Sequence, residues 1–172
     1  MVDLLGRRVP RFPAEAEVDV AAAIAKAVGG SSSSVGHASA ARGGDILFHE
    51  AARRFGIATT IVLPFDIESF IASSVAGVAS GNWVARFWKL WEATPLEQRI
   101  MLDLPVNDQA FATCNAKILE LAAAHKSYRL IALWDGNPDG GIGGTSDMIR
   151  TAKAQNAEVE VIAMETYRSM AP

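Results

Sequence analysis

The chain of 172 residues has a single cysteine, Cys114, so it forms no intrachain disulfide and fits a reducing compartment. It has no excess of positive charge. Its 16 lysines and arginines against 19 aspartates and glutamates leave a net charge of −3. The cluster of Arg7, Arg8 and Arg11 is local only, which argues against a surface that binds nucleic acid by displacing counterions. No apolar run reaches the ~18 residues of a membrane-spanning helix, and the first residues lack the apolar core of a signal peptide. No membrane partner is therefore expected, and a cytoplasmic location follows. A Walker lysine motif and the dinucleotide order of glycines are both missing, and His37, His49 and His125 show no zinc spacing with one another or with Cys114. Neither a metal nor a resident cofactor is expected. What is present is the composition of an ordinary globular chain, 50% hydrophobic and 20% charged. That is enough to bury a core, and residues 1–172 read as one domain.

Met1 to Pro13 reads as an extended, basic, proline-bounded lead-in. A helix follows on the apolar stripe Val18, Ala21, Ala22, Ile24 and Ala25, up to Val28, and stops at Gly29-Gly30. Ser31 to Ser34 is a connector into a short strand, Val35 to Ala38. Asp45 is expected to N-cap the next helix, whose Leu47, Ala51 and Phe55 share a face and which Gly56 ends. Ile57 to Leu63 is β-branched and uncharged, as in a strand buried on both faces of a parallel sheet, and Pro64 closes it. Helices are then expected over Asp66 to Ala76, Asn82 to Trp91, Asp108 to His125 and Ser146 to Asn156, with strands at Ile100 to Leu104, Tyr128 to Trp134 and Val159 to Ala163. The alternation means α/β with a mostly parallel sheet. In the aromatic helix Trp83, Phe87 and Trp91 lie at i, i+4 and i+8, a core or subunit-contact stripe rather than a base-stacking platform.

Two loops carry the chemistry. In doubly wound sheets ligands sit outside the carboxyl ends of the strands, so Ser39 to Asp45 and Asp135 to Thr145 are expected to line one crevice. Five of the nine residues from Gly136 to Gly144 are glycine, more than a strand-to-helix turn of ~2–6 residues needs. Gly143, Gly144 and Thr145 would offer donors to a phosphate, Asp135 or Asp45 would meet a ribose hydroxyl, and Arg42, Gly43, Gly44 and Asp45 would form the opposing wall. The alternative is that the glycines only turn the chain and the aspartates only cap helices. Arg42 is a phosphate partner or a solvated surface group. Glu50 is a candidate general acid or base or an exposed helical residue. Cys114 reads as structural, with Asn115 beside it as a residue that could reach the crevice.

Gly43-Gly44-Asp45 through Glu50-Ala51, then Ile61-Val62-Leu63-Pro64, and Gly143-Gly144-Thr145 after an apolar strand resemble the Rossmann-like superfamily that joins the Lonely Guy phosphoribohydrolases and the DNA-processing protein Smf. Arg8-Val9-Pro10-Arg11-Phe12-Pro13, Ala41 to Phe48, Val62 to Phe65 and Leu133 to Gly136 are more narrowly similar to a group of bacterial domains attached to tetratricopeptide repeats or signalling modules. The resemblance implies a Rossmann-like doubly wound fold and a small phosphorylated ligand. It also implies a catalytic glutamate that follows the glycine-threonine pair after two intervening residues, where this chain has Met148, with Asp147 just before it. A strand and a Gly-His turn precede the segment matching Asp3 to Pro13 in the related domains. This chain begins almost at that point, so the first, normally central strand is expected to be missing or supplied otherwise. Open sheet edges would then favour a homo-oligomer.

The expectation is a nucleotide-binding sensor or adaptor, with Gly136 and the loop around it shaping the site. One alternative is a phosphoribohydrolase using Glu50 or Asp147 as acid/base and Arg42 to hold phosphate. Another is a ligand-free interaction domain docking through the tryptophan helix.

Overall fold

The computed structural model describes residues 12–30, 35–78, 80–125, 127–138 and 141–168. Most of the lead-in Met1 to Pro13, the serine connector Ser31 to Ser34, and Asp139 and Gly140 of the glycine loop lie outside the described residues. Helices α1 (Glu17–Gly29), α2 (Gly44–Arg54), α3 (Ile67–Phe70), α4 (Trp83–Ala93), α5 (Asp108–Ala123), α6 (Thr145–Ala154) and α7 (Glu165–Arg168) alternate with strands β1 (Val35–Ala38), β2 (Ala58–Leu63), β3 (Arg99–Met101), β4 (Arg129–Trp134) and β5 (Glu158–Ala163). All pairings are parallel: β1 with β2, β2 with β3, and β4 with β5. Successive side chains of a strand point to opposite faces. A Cβ on Gly36 would run into the Phe48 ring of α2, while His37 stacks on His125 just past α5, so α2 and α5 cover opposite faces of the sheet. This is the expected Rossmann-like, doubly wound α/β arrangement.

The sheet is in two pieces. Among the described residues β1-β2-β3 and β4-β5 share no ladder. Both pieces are held by helices instead. Ile131, Leu133 and Ile162 join α1's Val20, Ile24 and Val28 in the main core, and Arg129 at the start of β4 donates to the Ala27 carbonyl of α1 and to Glu160 of β5.

Local physics explains where elements depart from the pattern. α1 buries Val20, Ile24, Ala27 and Val28 and leaves Val18 77% exposed, so its core stripe is rotated from the expected one. Gly43, at φ 88°, caps α2, which puts Asp45 inside the first turn rather than at the N-cap; its carboxylate reaches back to accept from the Ala41 N–H at 3.1 Å. The helix capped by Asp66 is α-helical only to Phe70 and widens into a π-type turn over Ile71–Val75. β3 is shorter than expected at its far end, although the Leu102 and Leu104 N–H groups still donate to the carbonyls of Leu63 and Pro64. Trp83, Phe87 and Trp91 are buried in the core, as their spacing implied, and Phe87 stacks on Trp91 at 6.1 Å. No described helix is long and apolar enough to cross a membrane.

Candidate functional site

The carboxyl ends of β1 and β4 open into one cavity of about 510 Å3. Arg42, Gly44 and Asp45 line it from the turn after β1, and Gly143, Gly144 and Thr145 from the loop after β4. The two glycine loops thus share one crevice. A Cβ on Gly44 would already touch Leu133 at the end of β4, at 3.5 Å. Asn115 of α5 fixes the second loop from beneath, its Nδ2 donating to the Gly143 carbonyl at 2.8 Å. Gly143 itself sits at φ 73°, and a Cβ there would lie 2.6 Å from the Ala112 backbone nitrogen. Only glycine lets this loop lie so close on α5.

The electrostatics are mixed, with a positive centre. Neither α2 nor α6 has a side-chain cap, and glycine stands at each N-cap position, Gly43 and Gly144. Two helix ends with partial positive charge therefore flank the crevice. Arg42 adds a full charge from a buried position, its backbone N–H donating to Ser74 O at 3.1 Å and its Nη1 to Ala76 O at 2.9 Å. Asp45 supplies the one carboxylate among the lining residues. Cys114 also lines the cavity, but burial first, and then the Asp45 charge, push its thiol up to about 12, and it donates to the Val62 carbonyl at 3.4 Å. A thiol so rarely ionised is no nucleophile at neutral pH.

The other residues singled out lie outside this lining. Gly43 borders a separate small depression with Phe12, Val78 and Trp83. Asp135 accepts from the Asn137 N–H at 3.1 Å, pinning its own turn, and Gly136 takes φ 80° beneath Glu165. Asp147 accepts from the Gly143 N–H at 3.3 Å and pairs with Arg150. Glu50 meets Arg86 in a two-pronged ion pair at 2.8 and 2.6 Å, and Arg86 also binds Glu17, so the three join α1, α2 and α4. Met148, at the position of the resemblance's catalytic glutamate, faces the cavity. Glu50→Gln is expected to lower stability by less than about 1 kcal/mol, since the pair is partly solvated. It should leave ligand binding unchanged; a loss of binding by native mass spectrometry would return Glu50 to the site.

Sequence reasoning did not select His37 or Phe111 for the crevice, and both line it, together with Ser39, the first residue of the expected loop. The ring nitrogens of His37 are buried without a hydrogen-bond partner among the described residues. Burial, and then the nearby His125, lower its basicity. Ser39 has its carbonyl taken by His49 Nε2 at 2.7 Å. A chain-order reading had no signal for His37 and Phe111, because their role depends on what β1 faces. No family model matches the chain, and no curated protein resembles it closely enough to count as a relative.

Proposed function

We propose that the protein binds a nucleotide or nucleotide-derived small molecule at the mouth of this cavity, as a cytoplasmic sensor or adaptor. The observation that supports this most is the meeting of two glycine-started helix N-termini and a buried arginine at one opening. In this reading the Thr145 N–H and hydroxyl at the start of α6 donate to the phosphate, Gly143 and Gly144 shape the loop around it, their own N–H groups donating to Asp147 and to the Gly141 carbonyl, and Arg42 supplies the counter-charge. Asp45 accepts from a ribose hydroxyl, the part Asp135 is less placed to play because it lies outside the lining. A cavity of about 510 Å3 also falls within the usual range for small ligands, ~300–1,000 Å3. Strand edges that carry no ladder among the described residues would give a homo-oligomer a route to form.

Hydrolysis gains no support from the lining, where the resemblance's catalytic acid is Met148 and both Glu50 and Asp147 are engaged elsewhere. The tryptophan helix spends its aromatic stripe on the core and leaves Trp88, at 39%, and Val84, at 37%, exposed. The test is native mass spectrometry of the chain with nucleoside mono-, di- and triphosphates, reading bound mass and released base. Bound, unchanged nucleotide is expected. Gly144→Asp, which sets a carboxylate at the phosphate position, should weaken binding by at least about tenfold. Release of free base would replace this reading with the hydrolase, and no adduct with any nucleotide would overturn both.

A further inference from the structure

The cavity runs on past its mouth as a slot through the sheet. One bank is β1 with Ser39 and the other is Tyr128 to Leu133, and both line it along their length. Among the described residues each bank is laddered on one side only, β1 to β2 and β4 to β5, so their open edges border the slot. An open edge carries a row of N–H and C=O groups that pair readily with an added strand. α1 covers one face of the slot with Ile24 and Val28, and α5 covers the other with Ile118 and Leu119. A strand seated there meets apolar side chains on both faces, as strands inside a parallel sheet do. The length of the banks suits about five residues, ~17 Å of extended chain.

Charge sets the direction of such a strand. Arg42 lines the carboxyl end of the slot from a buried position, 8% exposed, where α2 and α6 begin. Asp45, the one carboxylate in the lining, is turned to the Ala41 N–H. At the amino end Arg129 is already paired with Glu160 and with the Ala27 carbonyl. A chain terminus at the mouth is therefore matched as a carboxylate and opposed as an ammonium group. A strand running parallel to β1 and β4 puts its carboxyl end there, and every described ladder is parallel. We propose that the slot binds the carboxyl-terminal segment of a partner protein, about five apolar residues in extended form, with the free α-carboxylate against Arg42. This does not rest on the nucleotide reading, although a phosphate at Arg42 would compete with the carboxylate.

Fluorescence anisotropy of the full chain with a labelled peptide tests it, the probe carrying solubilising lysines after the label and ending in Val-Ala-Val-Ile-Val with a free carboxylate. The free acid should bind at least about tenfold more tightly than the same peptide ending in an amide, since a charge-assisted pair is lost. Arg42→Gln should remove most of that difference. An aspartate in place of the probe's central valine would bury a charge between α1 and α5, and should abolish binding. Amide hydrogen exchange locates the peptide: β1 and β4 should exchange about tenfold more slowly when it is bound, while Ile61 to Leu63 stay as they were. Equal binding of acid and amide overturns the proposal. So does binding of neither, or slowing confined to segments outside β1 and β4. The acid and amide comparison uses the unaltered chain, so it decides the matter even where Arg42→Gln does not fold.

Discussion

Acidification through the window from pH 6.5 to about 4 is expected to cost about 3 kcal/mol of stability through His49 alone. His49 is buried on α2; its Nε2 donates to the Ser39 carbonyl, and its Nδ1 therefore accepts from the Thr59 hydroxyl at 2.9 Å. That tautomer is neutral. Burial lowers its pKa to about 4 from 6.5, with the Arg53 charge adding to the effect and the Ser39 bond and Glu50 opposing it. The sign follows from proton uptake. Below 6.5 the unfolded chain protonates His49 while the folded chain does not, so the stabilisation is complete above 6.5 and lost as the pH falls to about 4. Urea denaturation across this window checks it. His49→Gln should flatten the slope, leaving a smaller part in the same direction from His37, whose basicity is also lowered. An unchanged slope in His49→Gln would assign the acid sensitivity to other groups.

Gly143→Ala should destabilise the protein by about 2–4 kcal/mol and remove ligand binding with it. Two costs combine at one residue. An alanine at φ 73° is strained, and its Cβ would meet the Ala112 nitrogen at 2.6 Å, backbone that cannot swing aside. The loop would lift from α5 and break the Asn115 bond to the Gly143 carbonyl. Gly144→Ala is the control: at φ −79° the residue is ordinary, and its stability change should stay within about 1 kcal/mol. Equal losses in the two variants, measured by urea denaturation, would show that the loop is not seated on α5 as described.

The parts of the fold legible in the sequence are those set by local pattern. Ile57 to Leu63 reads as a buried strand because an uncharged β-branched run has few other stable solutions, and Ile61, Val62 and Leu63 are indeed inaccessible to solvent. The two glycine loops were legible because such density at strand ends leaves the chain little else to do. What could not be read depends on contacts distant in sequence. Asp45 looks like an N-cap until Gly43 takes a positive φ and starts the helix two residues earlier. Glu50 looks like a free acid until Arg86, 36 residues away, takes it. Asp135 and Asp147 sit beside the loop as expected, yet each is spent on the turn that holds it.

The absence of a backbone ladder between β1 and β4 also bears on how the molecule comes apart. The β4-α6-β5 unit is a contiguous run of chain whose own strands are fully registered, from Arg129 opposite Glu158 to Trp134 opposite Ala163. Side-chain packing against α1 and the Arg129 clip tie it to the remainder. Such a unit can open and reclose on its own while β1-β2-β3 stays folded. Unfolding should therefore proceed in two steps, with the β4-α6-β5 unit opening before β1-β2-β3.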